Sequence, residues 1–324
     1  MRLLSLGLLL VVAAVLAVGV GSAGLPLGDV IDALRGGADE PTRVIVWELR
    51  LPRVLLAALV GGALALAGAV FQALLRNPLA DPYVLGVSGG AAVGAVLSLA
   101  VGADQTSPAA LPLAALAGAL GATALVFRIA SAPGRALDTR VLLLAGVIAG
   151  AFFNALILLL LTFASAETFR SAIFWMMGNL AGAGWRAPLV LGVFALPASA
   201  ALIALSRPLN LLAIGEDTAL YLGIRTERVK LAAYFLASLL VAGAVAAAGV
   251  IGFIGLVVPH ALRLAWGADH RLLLPACLLA GGAFLIAADT LARSVTGAME
   301  LPVGVVTALV GVPVFAFLLR RSLA

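Results

Sequence analysis

Few side chains in this sequence can do chemistry. There are 15 carboxylates, 20 lysines and arginines, two histidines (His260 and His270) and one cysteine, Cys277. A single cysteine closes no disulfide within the chain, and with two histidines it makes a poor thiolate–imidazole metal set. Lys230, the only lysine, is not preceded by a G-x-x-x-x-G-K-[ST] phosphate loop. No Ser/His/Asp or paired-carboxylate constellation is visible. The expectation is a chain that is not an enzyme and binds no metal or cofactor itself. Four polar features remain. Asp289 and Arg293 stand four apart and can pair on one helix face. Arg50 and Arg53, in "ELRLPR" (48–53), could join Arg293 in a basic patch. Gln72 and Asn154 are the clearest polar residues inside apolar runs. "GEDTALYLGIRTERVK" (215–230) holds six charges in sixteen residues.

The elements around these residues are apolar. The chain of 324 residues is 64% hydrophobic and 11% charged, with a mean hydropathy of +1.19. A soluble protein carries about 25% charged residues, so the natural solvent is lipid. Apolar runs of about 20 residues, the length that spans roughly 30 Å of hydrocarbon, recur along the chain. Spans are expected at 3–23, 52–75, 83–101, 109–127, 141–163, 188–205, 231–251, 253–266, 272–288 and 302–319. Only helices fit them, because alternating ten-residue strands are absent. The first run opens on Arg2 and closes on "GSAG", as a secretion leader would, but it is longer than the usual 7–15 residues. The eighth is short enough to sit deep in the bundle or to be a broken helix. The fold class expected is an all-α integral membrane protein of about ten helices, forming a single domain over 1–324. With the N-terminus inside, thirteen of the 20 cationic residues, Arg135 among them, fall on the inner side and seven on the outer. The positive-inside rule thus supports N-in, C-in, which puts 215–230 in the cytoplasm and Arg50, Arg53 and Arg293 outside.

Small residues recur at four-residue spacing: Gly61, Ala65, Ala69 and Ala73; Gly86, Gly90, Gly94 and Ser98; and Gly146, Gly150 and Asn154. Each row lies on one helix face, where backbones can approach closely. The third ends in a polar residue, so packing and a pathway lining both stay open. Residues 62–78 align without gaps to 243–259, with seven identities in seventeen. The copies lie five spans apart and so cross in opposite directions, as in inverted-repeat transporters. No intramembrane carboxylate of the kind that couples transport to protons or sodium stands out. In the polar island, Glu216 and Asp217 suit a helix N-terminus, Gly223 can end that helix left-handed, and Thr226 is a candidate N-cap for span seven. Leu220, Tyr221, Leu222 and Ile224 are too apolar for a solvated loop. The island reads as a docking surface. Pro78 and Pro82 break the helix in "RNPLADPYVLGVSGG" (76–90), with Asn77 and Asp81 favouring tight turns.

Taken together, "WELRLPR", "GGALALAGAVFQALLRNPLADPYVLGVSGGAAVG", "FWMMGNLAGAGW", "GEDTALYLGI", "GVIGFIGLVVPHALRL", "DHRLLLPACLLAGG", "ADTLAR" and "ELPVGVVTALVGVPVF" resemble the permease subunit of the ABC importers for iron-siderophores, haem and vitamin B12. These are the FecCD-like, type II importers, and the resemblance covers nearly the whole chain beyond the first span. It implies ten helices in two inverted five-helix halves and a homodimer in the bacterial inner membrane. It also implies two cytoplasmic ATPase subunits, which use ATP and Mg, and an external substrate-binding protein. It implies that coupling helices at about 215–226, with Glu216, Asp217, Leu220, Tyr221 and Gly223, seat in the ATPase. Arg50, Arg53 and Arg293 inherit pairing with glutamates on the two lobes of the binding protein. Gly146, Gly150 and Asn154 inherit a place along the pathway. The cargo implied is a ferric siderophore or haem, with vitamin B12 as the alternative. A passive channel and an ion-coupled secondary transporter are the rival functions.

Overall fold

A computed structural model describes residues 1–21, 24–131, 138–295 and 300–323. Ser22 and Ala23, at the end of the first expected span, and Arg135, one of the cations assigned to the inner side, lie outside the described residues. Among those described there is no strand. An apolar helix lies at each expected span: α1 (Arg2–Gly19), α2 (Leu51–Leu74), α3 (Val87–Ala100), α4 (Ala110–Ala130), α5 (Thr139–Thr162), α6 (Arg186–Ala204), α7 (Thr226–Ala248), α8 (Ile254–Trp266), α9 (His270–Ser294) and α10 (Val303–Leu323). Among the described residues, seven are long and apolar enough to cross a membrane; α3, α8 and the Val303–Leu318 part of α10 are shorter apolar stretches. Amphipathic helices at Leu27–Arg35, Ala166–Met176 and Ser206–Ile214 lie between them.

The bundle is organised around α2. A helix that is apolar on every side has to be enclosed by others, and α2 is enclosed by α6, α7, α8 and α9. Gly61 in the first row of small residues and Gly90 and Gly94 in the second serve close helix packing, whereas Gly86 precedes α3. Gly61 of α2 faces Gly281 of α9, and a Cβ on either would run into the other's carbonyl oxygen. Gly90 of α3 and Gly118 of α4 meet the same way. Contacts this close are what hold helices together where lipid removes the hydrophobic drive between them.

Two helices are shortened by identifiable breaks. The expected span 83–101 becomes helical only at Val87, because Pro82–Leu85 forms a 3-10 turn and Gly86, at φ +75°, closes it left-handed. At Gly249, φ +71°, α7 ends, and α8 starts only after Phe253, itself at φ +70°. The resulting 13 residues of α8 rise about 20 Å. This break corrects the repeat expected from sequence. Residues 62–74 lie in one unbroken helix, whereas 243–259 straddle the end of α7 and the start of α8. The match therefore joins unlike structures, and five of its seven identities are Ala or Gly.

Candidate coupling and docking sites

The polar island folds as a corner between Ser206–Ile214 and α7. Its helix runs Glu216–Tyr221, with both acidic residues in the first turn. Gly223 takes φ +82°. Its N–H donates to the Leu220 carbonyl at 2.9 Å, and the Ile224 N–H donates to the Ala219 carbonyl at 3.0 Å. These two bonds make a Schellman closure, which needs a left-handed residue at its corner. Ala219 is buried beneath, while Leu220, Leu222 and Tyr221, the last 92% exposed, point away from the bundle with Ile214. Asp217 is also exposed. The expected N-cap is corrected: Thr226 is the first residue of α7, it is buried, and no side chain caps that end. Lys230, by contrast, is one of the most enclosed side chains, with Nζ 2.7 Å from Glu216 Oε1 and 2.5 Å from Glu227 Oε1. The signal was available, since this is the only lysine and it stands at the edge of an apolar run. A neighbouring tie joins Asn210 to the start of α9. Asn210 Nδ2 donates to Asp269 Oδ1 at 2.7 Å, and Asp269 in turn accepts from the Arg271 N–H at 3.0 Å. The Asn210 hydrogen bond foremost, then those of Arg271, holds the Asp269 carboxyl down at about 2, so this cap stays charged at any physiological pH.

Arg50, Arg53 and Arg293 do come together, but not as the outward-facing basic patch expected from sequence. They are 4%, 8% and 4% exposed. Arg53 forks onto Asp289, with Nη2 to Oδ1 and Nε to Oδ2 both at 2.9 Å, and its Nη1 reaches Glu300 Oε2 at 2.8 Å. The expected Asp289–Arg293 pair exists at 3.7 Å, but the closer claim on Asp289 is that of Arg53. Asp289 is thus a fully paired buried carboxylate that the sequence reading, seeking coupling acids, did not count. Three cations face two anions, and the last turn of α1 supplies what is missing. Arg50 Nη1 donates to the Val18 carbonyl at 2.6 Å and the Gly19 carbonyl at 3.1 Å, and Arg293 donates to the Ala17 carbonyl. The final carbonyls of a helix lack intrahelical donors and carry its negative dipole end. At its other end α1 places Arg2 over the Trp266 ring, 6.0 Å from the centroid. A helix tied at both ends to residues so distant in sequence is part of the bundle.

The third row of small residues is split. Gly146 is buried on α5, and a Cβ there would meet the Val84 carbonyl and Leu85 of the 3-10 turn; Gly150 has open space beside it; Asn154 is exposed. The row winds from a packing contact to the uncovered face of α5, where Leu144, Val147, Ile148 and Phe152 also lie exposed. Gln72, by contrast, is a structural hub. Its Nε2 donates to the Ala80 carbonyl at 3.3 Å and the Gly255 carbonyl at 3.2 Å, and its Oε1 accepts from Arg263 at 2.5 Å. Tyr83 completes this junction: its hydroxyl donates to the Ile251 carbonyl at 2.9 Å and accepts from the Ile251 N–H at 3.2 Å. Sequence reasoning missed the Tyr83 contact, because a lone tyrosine after a proline carries no pairing signal.

The FecCD transport family matches over residues 9–321. The chain belongs to that family. It is 43% identical over 320 residues to the vitamin B12 import system permease protein BtuC of Salmonella typhi, covering 99% of this chain and 95% of the relative. It is 43% identical over 289 residues to the ABC transporter permease protein YvrB of Bacillus subtilis strain 168, covering 88% and 82%. A solved structure described as an inward-facing metal-chelate type ABC transporter superposes with a TM-score of 0.88 at 35% identity, over 98% of both chains. This FecCD chain is therefore an ABC importer permease, all-helical and multi-pass in a membrane.

Proposed function

We propose that this FecCD permease carries a large metal chelate across a bacterial inner membrane by alternating access, driven by two separate ATPase subunits that use ATP and Mg. It works as a homodimer, fed by an external binding protein. The observation that carries this reading is the corner at Gly223. A six-residue helix, closed by a Schellman turn and showing Leu220, Tyr221 and Leu222, is a docking element on a chain with no phosphate loop of its own. Glu216, Asp217, Leu220, Tyr221 and Gly223 make up the coupling site. The chain crosses ten times in two inverted halves with both ends inside. The uncovered face of α5, with Gly150 and Asn154, borders the pathway, and Gly146 seats α5 against the 3-10 turn. Two cargo readings stand. The metal-chelate structure supports a ferric siderophore or haem, and the 43% identity to BtuC supports vitamin B12, itself a cobalt chelate.

The outer arginines fit the docking role in one way only. An acidic residue of the binding protein must take the place of Glu300 on Arg53, because the three guanidinium groups are enclosed. Glu300→Gln should then tighten binding-protein docking; weaker docking would count against the exchange. For the whole reading, the chain reconstituted with its ATPase and loaded binding protein should accumulate chelate only with ATP, and a protonophore should leave uptake unchanged. Uptake without ATP would make it a channel or a secondary transporter. Competition among a ferric siderophore, haem and cobalamin for the binding protein decides the cargo.

A further inference from the structure

The corner helix is fixed at its C-terminal end by the Schellman bonds, but no side chain caps its N-terminal end. Six residues do not hold a helix by themselves. Gly215 joins the other end to Ser206–Ile214, its N–H donating to the Leu211 carbonyl, and Lys230 is what ties that end to α7. It is the fifth residue of α7, and its ammonium reaches back to the first turn, where the helix dipole opposes a cation. At 2% exposure it has also lost its water. Such a placement persists only with anions at contact distance, and two are there: Glu216, the first residue of the corner helix, at 2.7 Å, and Glu227 of α7 at 2.5 Å. A helical side chain leans toward its own N-terminus, which brings Nζ back over Glu227 and within reach of Glu216. One buried cation thus fastens the first turns of two helices, and α7 in turn packs on α2, α4 and α6.

We propose that Lys230 is a positioning residue for energy coupling: it clamps the corner helix to α7, so that a push on the exposed face by the ATPase displaces α7 and the bundle behind it. Without the clamp the corner helix, still joined to Ser206–Ile214, would shift against α7 at the 222–225 link and absorb part of the push. This rests on the reading that the corner docks an ATPase.

Lys230→Met is the first test, because the methionine refills the space of the stem while Glu216 and Glu227, which are 30% and 44% exposed, can turn to water. In detergent, amide exchange at residues 216–222 of the variant should be severalfold faster than in the unaltered chain, with α7 beyond Ala233 unchanged. Lys230→Arg should restore it. In the complex reconstituted with its ATPase, Lys230→Met should keep the ATPase bound yet hydrolyse severalfold more ATP per chelate imported. Unaltered exchange overturns the clamp. Faster exchange with an unaltered ATP-to-cargo ratio overturns its role in coupling. Failure of the docking reading is seen separately: Tyr221→Asp would then leave ATPase binding intact, whatever Lys230 does to exchange.

Discussion

Arg53 shows how much one side chain can hold. It bridges Asp289 of α9 and Glu300, while Arg50 and Arg293 occupy the carbonyls that end α1. Removing one partner of a buried pair strands the other charge, at about 3–5 kcal/mol. Arg53→Ala should therefore lower the detergent melting temperature, read from the four tryptophans, by several degrees. Arg53→Ala with Asp289→Ala should cost less than the sum of the two single changes, since residues in one network do not add. Strict additivity would mean that the pair is not the source of the loss. The sequence made part of this legible. The spacing of Asp289 and Arg293 identified a pair, and Arg50, Arg53 and Arg293 were grouped together as one patch. It did not show that the partners are internal, because Arg53 meets Asp289 across 236 residues and the α1 carbonyls leave no side-chain signature.

At the scale of elements, packing and breaks were both written in glycine, with different consequences. Where Gly61 meets Gly281, any larger residue overlaps backbone. Gly61→Leu should abolish the monodisperse peak on size exclusion after detergent extraction, whereas Gly121→Leu on α4, with nothing near its Cβ position, should leave it intact. Gly223 tests conformation rather than space, since its Cβ position is also open. Gly223→Ala costs about 1–2 kcal/mol for a left-handed non-glycine residue and should lower ATP-driven uptake partly. Gly223→Pro also loses the N–H that bonds Leu220 and a proline φ near −65° cannot supply +82°, so uptake should be lost. Helix positions were legible because apolar runs of bilayer length allow little else, and the left-handed closure at Gly223 followed from composition. The expected spans 231–251 and 253–266 already parted α7 from α8; what pattern could not give was the five-residue break between Ala248 and Ile254. "AAAGVIGFIG" is hydrophobic throughout, and only the backbone angles at Gly249 and Phe253 mark that break. The same blindness produced the false match between 62–78 and 243–259.

For the molecule as a whole, side assignment ties every proposed role together. The coupling corner and the arginine cluster must lie on opposite faces of the membrane, or ATP cannot enter at one end while cargo is delivered at the other. The packing is consistent with that demand. The arginines gather where α1 ends and the helical run into α2 begins, and the corner precedes α7, a helix of 23 residues that rises about 34 Å. Cys277 is the only cysteine and is buried, so single cysteines can be introduced after Cys277→Ser without a competing thiol. Tyr221→Cys and Met1→Cys behind a new start methionine should react with a membrane-impermeant maleimide only in inside-out vesicles. Trp47→Cys, 40% exposed just before the arginines, should react only in right-side-out vesicles. Labelling of Tyr221→Cys and Trp47→Cys from the same side would end the importer arrangement at once. Labelling of Met1→Cys opposite Tyr221→Cys would instead mean that α1 does not cross, and would leave the two docking faces where they are.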